Sequence, residues 1–452
     1  MKKIILTLFI GAFLQAQVFN TSVLFSNGSK DKRVNLVLLG DGYTSTQQAN
    51  FVSNAGTAVN YFFSKSPYKE YKNYFNSYAI EVVSAESGVK HPGTATDVQE
   101  PVFPVSNPNN YFSSSFDVNV HRCLYGNVSR VTQVLNANLP EFDAAYVMVN
   151  TPNYGGCGGQ YAFGSIDAAA NEIFVHELGH SFGKLADEYW FSGSGESPNK
   201  TQNNNSSTNK WRNWLGTSSI GMYPYEESPT WFRPHQSCEM RYLNQQFCAV
   251  CKQQIIERIH SLVSPIDSFT PSNSSALNGN ANLSFSVTEI LPIPNTLVNS
   301  WHLNNTQLSS TATNLTLTPS QLLNGTNTLV FKVYDNSSML KVDNHSTLHL
   351  ATVSWTITKS TLGVENSEGI ERRYSIYPNP TNHEFYVKSR QHFDKNISAQ
   401  LVDSSGKIVK MKFQATDNET LRVELKDLPS GVYIFQLKDE NGVFLSEKLI
   451  KK

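Results

Sequence analysis

The spacing of apolar and polar positions changes character along the chain. Near the start, "RVNLVLLGDGY" carries an unbroken apolar run into a glycine turn, the pattern of a strand buried on both faces. "TQQANFVSNAGTAVNYFF" repeats its apolar residues every three or four positions, which predicts an amphipathic helix. "NSYAIEVVSAES" and "AAYVMVNTPN" read as strands, and residues 171–182 and "VCKQQIIERIHSL" as helices. Helices mixed with strands predict an α/β or α+β domain over residues 18–263. "VSPIDSFTPSNSS" then breaks the pattern. Across 266–360, short alternating runs such as "ANLSFSVTEI", "NTLVFKVYD" and "HLATVSWTI" predict an Ig-like β-sandwich of the disulfide-free kind. A polar linker at 361–373 leads to an all-β unit at 374–452, where "DSSGK" and "DENG" mark hairpin turns.

Composition adds compartment and excludes partners. The chain has 452 residues and a formal net charge of -1, so no basic excess favours nucleic acid. "MKK" followed by "IILTLFIGAFL" and Ala16 reads as a signal peptide at 1–16, with an apolar run too short to span a bilayer. No other run is long enough for a transmembrane helix. Export permits disulfides, and there are five cysteines, an odd number. A disulfide within Cys238, Cys248 and Cys251 is expected, with the pairing open. The polar, low-complexity stretch 192–210 reads as a mobile loop just after the 171–182 helix.

The candidate chemistry lies in "HELGHSFGKLADEY". His176 and His180 are four residues apart on one helical face and can aim at one ion. Glu177 is turned about 100° from His176 and suits a general base for water better than a ligand. The third ligand is less direct. A straight helix carries Asp187 back to the same face but about 10 Å further along the axis than His180. A metal–oxygen bond of about 2 Å then requires the helix to break, and Gly183 is the expected place, as a residue that tolerates positive φ. Asp187 is the preferred third ligand, Glu188 the competitor and His235 a distant third. The glycines of "YGGCGGQYAFG" (Gly155, Gly156, Gly158 and Gly159) permit close backbone approach and are candidates for an edge that pairs with an extended substrate. Cys157 is a weaker candidate as a nucleophile, because no histidine is spare to activate it. Asp41 reads as a turn-capping carboxylate.

These residues resemble the signature of the IgA-peptidase-type zinc metallopeptidases, a metzincin-like family. "LVLLGDGYT", "SAESG" and "CEMRY" followed by "FCAVC" also match its pattern, over most of residues 33–260. The resemblance implies a zincin-like catalytic domain with one Zn2+ on His176, His180 and Asp187, Glu177 as base, and a protein or peptide substrate. Met240 stands where a Met-turn would lie beneath the ligands. Tyr242 is the candidate oxyanion stabiliser, with Tyr189 as its alternative.

"YPNPTNHEFYV", "DSSGKIV", "LPSGVYIFQL" and the terminal "KLIKK" resemble the C-terminal sorting domain of type IX secretion cargo. That resemblance implies passage across both membranes of a Bacteroidota-type bacterium by the type IX machinery, then secretion or surface attachment. The sequence therefore predicts a multidomain protein: catalytic domain, sandwich and sorting domain. Its expected function is secreted zinc-dependent endopeptidase. The alternative is a surface-attached binding protein with an inactive or non-peptidase zinc domain. An intact Glu177 speaks against lost catalysis.

Overall fold

Burial on both faces makes Val34–Asp41 (β2) the centre of a six-stranded sheet. The computed structural model describes residues 17–95, 104–117, 120–190, 195–360, 374–390, 392–393, 397–439 and 442–452. The expected signal peptide and linker lie outside them. The chain divides into two units, Met1–Ser360 and Thr361–Lys452.

The sheet begins with Thr21–Phe25 (β1) at one edge, antiparallel to Phe75–Ile80 (β3). β3 pairs in parallel with β2, and β2 with Ala144–Val149 (β4). At the far edge, Gly156–Cys157 (β5) runs antiparallel to Ala162–Gly164 (β6), which is parallel to β4. Alternation along β2 sends Leu36 and Leu38 to one face and Val37 and Leu39 to the other. The first face packs on the helices Gln48–Phe62 (α1), Ala170–Ser181 (α3) and Ala249–Leu262 (α4). The second packs on Val128–Asn138 (α2), a helix the spacing of apolar residues did not single out. The result is helices on both faces of a mostly parallel sheet. At the end of β2, buried Asp41 accepts bonds from the amides of Gly42, Phe112 and Ser114 (3.0, 3.1 and 3.2 Å), so it ties a turn, as expected.

The expected disulfide within Cys238, Cys248 and Cys251 is corrected. The disulfide joins Cys123 to Cys157, in keeping with the low standing of Cys157 as a nucleophile. Cys238, Cys248 and Cys251 are buried thiols. Cys238 Sγ and Cys251 Sγ stand 3.7 Å apart, well beyond a covalent bond of about 2.05 Å. The Glu188 carboxylate sits among them, 3.2 Å from Cys251 Sγ.

Within the first unit, residues beyond α4 form two sheets. One holds Ile266–Thr270 (β7), Leu283–Glu289 (β8) and Asn314–Leu317 (β9). The other includes Leu297–Leu303 (β10), Gly325–Asp335 (β11) and Ala351–Lys359 (β12). Their inward residues meet around stacked Trp301 and Trp355. This layer is fixed to the α/β layer by buried polar contacts. Asp335, at the end of β11, takes His260 Nε2 at 3.0 Å, Thr296 Oγ1 at 2.6 Å and the Tyr71 hydroxyl. Glu257 of α4 meets His349 Nε2 at 2.5 Å and His345 Nδ1 at 3.3 Å. The second unit has two four-stranded sheets closed over a core that includes Phe385, Val423 and Phe435.

Burial pushes the Glu257 carboxyl up, but the two histidines outweigh it and hold the group at about 2. Its stabilisation is thus complete above the usual 4.5 and is lost as pH falls through about 2. His345 is raised above 6.5 in spite of burial by the same pair, so its share is lost as pH rises through that raised value. The pair is strongest between 4.5 and 6.5. Glu257→Gln is expected to cost about 1–3 kcal/mol in denaturant unfolding near pH ~5.5 and much less near pH ~2.5. Equal losses at both pH values contradict this pairing.

Candidate metal centre and its cleft

Residues 172–179 of α3 are all buried, so both histidines and Glu177 sit on a fixed support. Each histidine is oriented from behind. His176 Nδ1 lies 2.9 Å from the Glu239 carbonyl, and His180 Nδ1 lies 2.8 Å from the Leu185 carbonyl. A carbonyl only accepts, so each Nδ1 carries the proton and each Nε2 keeps its lone pair for the front.

α3 ends at Ser181, and the chain turns back within three residues. The Gly183, Lys184 and Leu185 amides bond the Leu178, His180 and Gly179 carbonyls at 3.1, 3.1 and 3.0 Å. The expected break is present, with one correction: the left-handed residue is Lys184, at φ 57°, not Gly183. Gly183 is needed for another reason, since a Cβ there would stand 2.8 Å from the Gly179 carbonyl oxygen. Three contacts then pin the next segment. Asn199 makes paired bonds of 2.8 Å to the amide and carbonyl of Ala186. The Tyr225 hydroxyl donates to the Asp187 carbonyl at 2.9 Å, and the Glu188 amide to the Met240 carbonyl at 2.7 Å.

This brings Asp187 Oδ1 to 3.2 Å from His176 Nε2 and 3.1 Å from His180 Nε2, with the two Nε2 atoms 3.2 Å apart. Three donor atoms form a nearly equilateral triangle. A tetrahedral ion with bonds of about 2.0–2.1 Å sets ligand edges of about 3.3 Å, so the residues fit a small cation. Without one, two imidazole lone pairs face each other beside a carboxylate. Burial disfavours imidazolium, but Asp187 outweighs it and pushes His180 up to about 9, with His176 raised in the same direction. Burial raises the Asp187 carboxyl, and the histidines more than reverse that, holding it well below the usual carboxylate range.

Glu177 points into a cleft of about 450 Å³ lined also by Arg122, Tyr154, Tyr189, Arg241 and Tyr242. Burial pushes its carboxyl up. Its Oε2 is buried with no hydrogen-bond partner among the described residues. Met240 is fully buried against α3, where a Cβ on Gly179 would stand 2.5 Å from its Sδ. Tyr242 is 51% exposed at the cleft edge, and Tyr189 contacts Asp187. The glycines divide. A Cβ on Gly158 would meet Glu177 Oε2 at 2.8 Å, and one on Gly156 would meet Ile173, so these two line the site. Gly155 and Gly159 instead pack on Phe116 and Tyr125. The Gly156 amide is already bonded to the Arg122 carbonyl at 3.2 Å.

Neither competitor for the third ligand joins the triangle. Glu188 turns to the three thiols, and His235 is outside every ligand group found among the described residues. Several residues here escaped sequence reasoning. The stretch 192–210 was expected to be a mobile loop; residues 192–194 lie outside the described ones, but within the rest Asn199, Lys200 and Asn209 are fully buried. Lys200 Nζ lies over the rings of Trp190, Trp231 and Tyr225 at 4.4, 5.1 and 5.2 Å. A polar stretch is buried because its amides and its cation find partners inside. Behind His176, burial and then Glu172 push the Glu239 carboxyl up to about 8. Arg122 in the cleft carried no motif.

Comparisons with known proteins come in two kinds. Among solved structures, a Bacteroides ovatus mixed-linkage glucan utilization locus protein, SGBP-B, is 13% identical, with 41% of this chain and 47% of that one covered and a TM-score of 0.16. The Lin-41 filamin domain is 12% identical, with 18% and 92% covered and a TM-score of 0.16. Invasin, a bacterial integrin-binding protein, is 11% identical, with 41% and 39% covered and a TM-score of 0.15. This chain thus spans about half the length of SGBP-B and less of invasin, and at these TM-scores none bears on fold or site. No curated protein matches the chain. No helix among the described residues is long and apolar enough to cross a membrane. Family models do match. Residues 23–227 match IgA Peptidase M64, and residues 375–452 match the secretion system C-terminal sorting domain, which marks the protein for export to secretion or cell-surface attachment. The two resemblances read from the sequence hold, and the chain joins a region matching the IgA Peptidase M64 family model to one matching the type IX C-terminal sorting domain.

Proposed function

We propose that the protein is a secreted zinc-dependent endopeptidase, with its α/β domain of the zincin type at 18–263, a sandwich at 266–360, a linker at 361–373 and the sorting domain at 374–452. The observation that carries the reading is the triangle of His176 Nε2, His180 Nε2 and Asp187 Oδ1, with edges of 3.1–3.2 Å, opening on a cleft that Glu177 faces. His176, His180 and Asp187 hold one Zn2+. Bound there, zinc supplies the Lewis acidity that polarises a scissile carbonyl.

The remaining work falls to the chain. Glu177 takes the proton of the attacking water and delivers it to the leaving amine, a task suited to a carboxyl that burial has raised. Tyr242 donates its phenolic proton in a hydrogen bond to the oxyanion from the cleft edge. Met240, packed under Gly179, keeps the histidine helix at its height. With the Gly156 amide engaged, and Gly155 and Gly159 packed on Phe116 and Tyr125, the substrate edge is Gly158, and Gly156 serves as cleft wall beside it. The substrate is a protein or peptide in extended form, and the type IX machinery is the export partner.

Glu177→Gln is expected to lower hydrolysis of an unfolded protein such as casein by about 10²–10⁴-fold with the metal content of the cleft site unchanged. Wild-type rates from that variant reject the mechanism. The tyrosines separate by kinetics. Tyr242→Phe should lower kcat by about 10²-fold with KM little changed. Tyr189→Phe should leave kcat near wild type and weaken metal retention, since the hydroxyl it removes is the group that interacts with the Asp187 carboxylate. The reverse pattern moves the oxyanion role to Tyr189.

A further inference from the structure

A second group of ligand atoms lies behind the cleft. Glu188, Cys238, Cys248 and Cys251 are all buried, and one ligand atom from each falls within 4.8 Å of the others. Cys238 Sγ is 3.7 Å from Cys251 Sγ. Glu188 Oε1 is 3.2 Å from Cys251 Sγ and 3.9 Å from Cys248 Sγ. A tetrahedral ion with bonds of about 2.3 Å to sulfur and about 2.0 Å to oxygen sets sulfur–sulfur edges near ~3.8 Å and sulfur–oxygen edges near ~3.5 Å. The sulfur–sulfur spacing comes close to its value, and the two sulfur–oxygen spacings lie on either side of theirs. Glu188 Oε2 is fully buried with no hydrogen-bond partner among the described residues. An enclosed carboxylate among three thiols is a costly arrangement unless a cation completes it.

We propose that Glu188, Cys238, Cys248 and Cys251 form a second metal site, distinct from the cleft, that binds a zinc-class divalent cation in a thiolate-rich tetrahedral shell. Binding releases three thiol protons to solvent, and the cation bonds three thiolates and the carboxylate, with no change of oxidation state. The negative charge of that shell meets local positive ends. Cys248 caps α4 and Cys251 lies in its first turn, where the helix presents free amides. The Cys248 amide points at Cys238 Sγ at 3.3 Å, and Asn199 Nδ2 at Glu188 Oε1 at 3.2 Å. The site also explains the odd cysteine number. Two of the five form the Cys123–Cys157 disulfide, and the other three are ligands that the metal shields from oxidation in an exported protein.

Position gives the site its use. Glu188 follows Asp187, and the Cys238–Cys251 stretch carries the Glu239 carbonyl that orients His176 and the Met240 carbonyl that takes the Glu188 amide. A cation here ties both flanks of the cleft triangle to one point. Glu188 and the cysteines are positioning residues, and nothing in their binding of a cation depends on peptidase activity.

The test is metal content of the full-length exported protein. Wild type is expected to hold two zinc ions, and His180→Ala, which breaks the cleft site, one. Cobalt-loaded His180→Ala should show intense thiolate-to-cobalt charge transfer in the near ultraviolet, abolished by adding Cys251→Ser. Zinc X-ray absorption on wild type, which needs no variant to fold, should contain sulfur scatterers. A shell of nitrogen and oxygen alone overturns the proposal, as does mass spectrometry of unreduced native protein that finds a disulfide between any two of Cys238, Cys248 and Cys251. Sulfur scatterers with an inactive wild-type enzyme leave this site standing and count against the peptidase reading alone.

Discussion

The return of Asp187 to the face that carries His176 and His180 is the constraint on which the rest depends. Two histidines one helical turn apart come at no geometric cost, because any helix presents them together. A carboxylate seven residues further on does not, and bringing it to the same point requires the helix to stop, reverse and be held. The chain meets this with backbone bonds from residues 183–185 to the last helical turn, a left-handed Lys184, and contacts from Asn199, Tyr225 and Met240 on the returning segment. The Leu185 carbonyl, produced by that reversal, is the group that orients His180. The Asp187 carboxylate and the orienting partner of His180 therefore arise from the same turn.

The surrounding architecture serves this point. The sheet fixes one side of α3 through Phe174, Val175 and Leu178, and α4 closes the other through the segment that bears Met240 and the cysteines. The short β5–β6 pair at the sheet edge places Gly158 so close to Glu177 that a side chain there would collide with it. The two-sheet layer is bound to α4 and Tyr71 through Asp335 and Glu257, so α4 is held from outside as well as from within.

What was legible in the sequence follows from the range of the interactions involved. β2, α1, α3 and α4 announce themselves because their burial is written in consecutive residues. The motif "HELGH" is local, and Asp187 was reachable because the rise of a helix limits what a straight one can deliver. Asn199 was not, since a polar stretch full of Asn and Ser looks solvated until its partner, the Ala186 backbone, is seen beside it. The cysteines misled for the same reason. Export favours a disulfide, and only the fold reveals that Glu188 lies between the thiols and that Cys123 meets Cys157. Gly183 was rightly singled out at the helix end but for the wrong cause, a close approach to Gly179 and not a left-handed backbone. Asp335 and Glu257, which join the layers, sit in a strand and a helix whose own patterns carry no sign of a partner.

Diffraction from crystals of the wild-type protein recorded above and below the zinc absorption edge addresses the cleft site directly. An anomalous peak within about 2.3 Å of His176 Nε2, His180 Nε2 and an Asp187 oxygen is the expected result. A peak bound by the histidines with Asp187 more than about 4 Å away, or no peak in the cleft of zinc-soaked crystals, contradicts it.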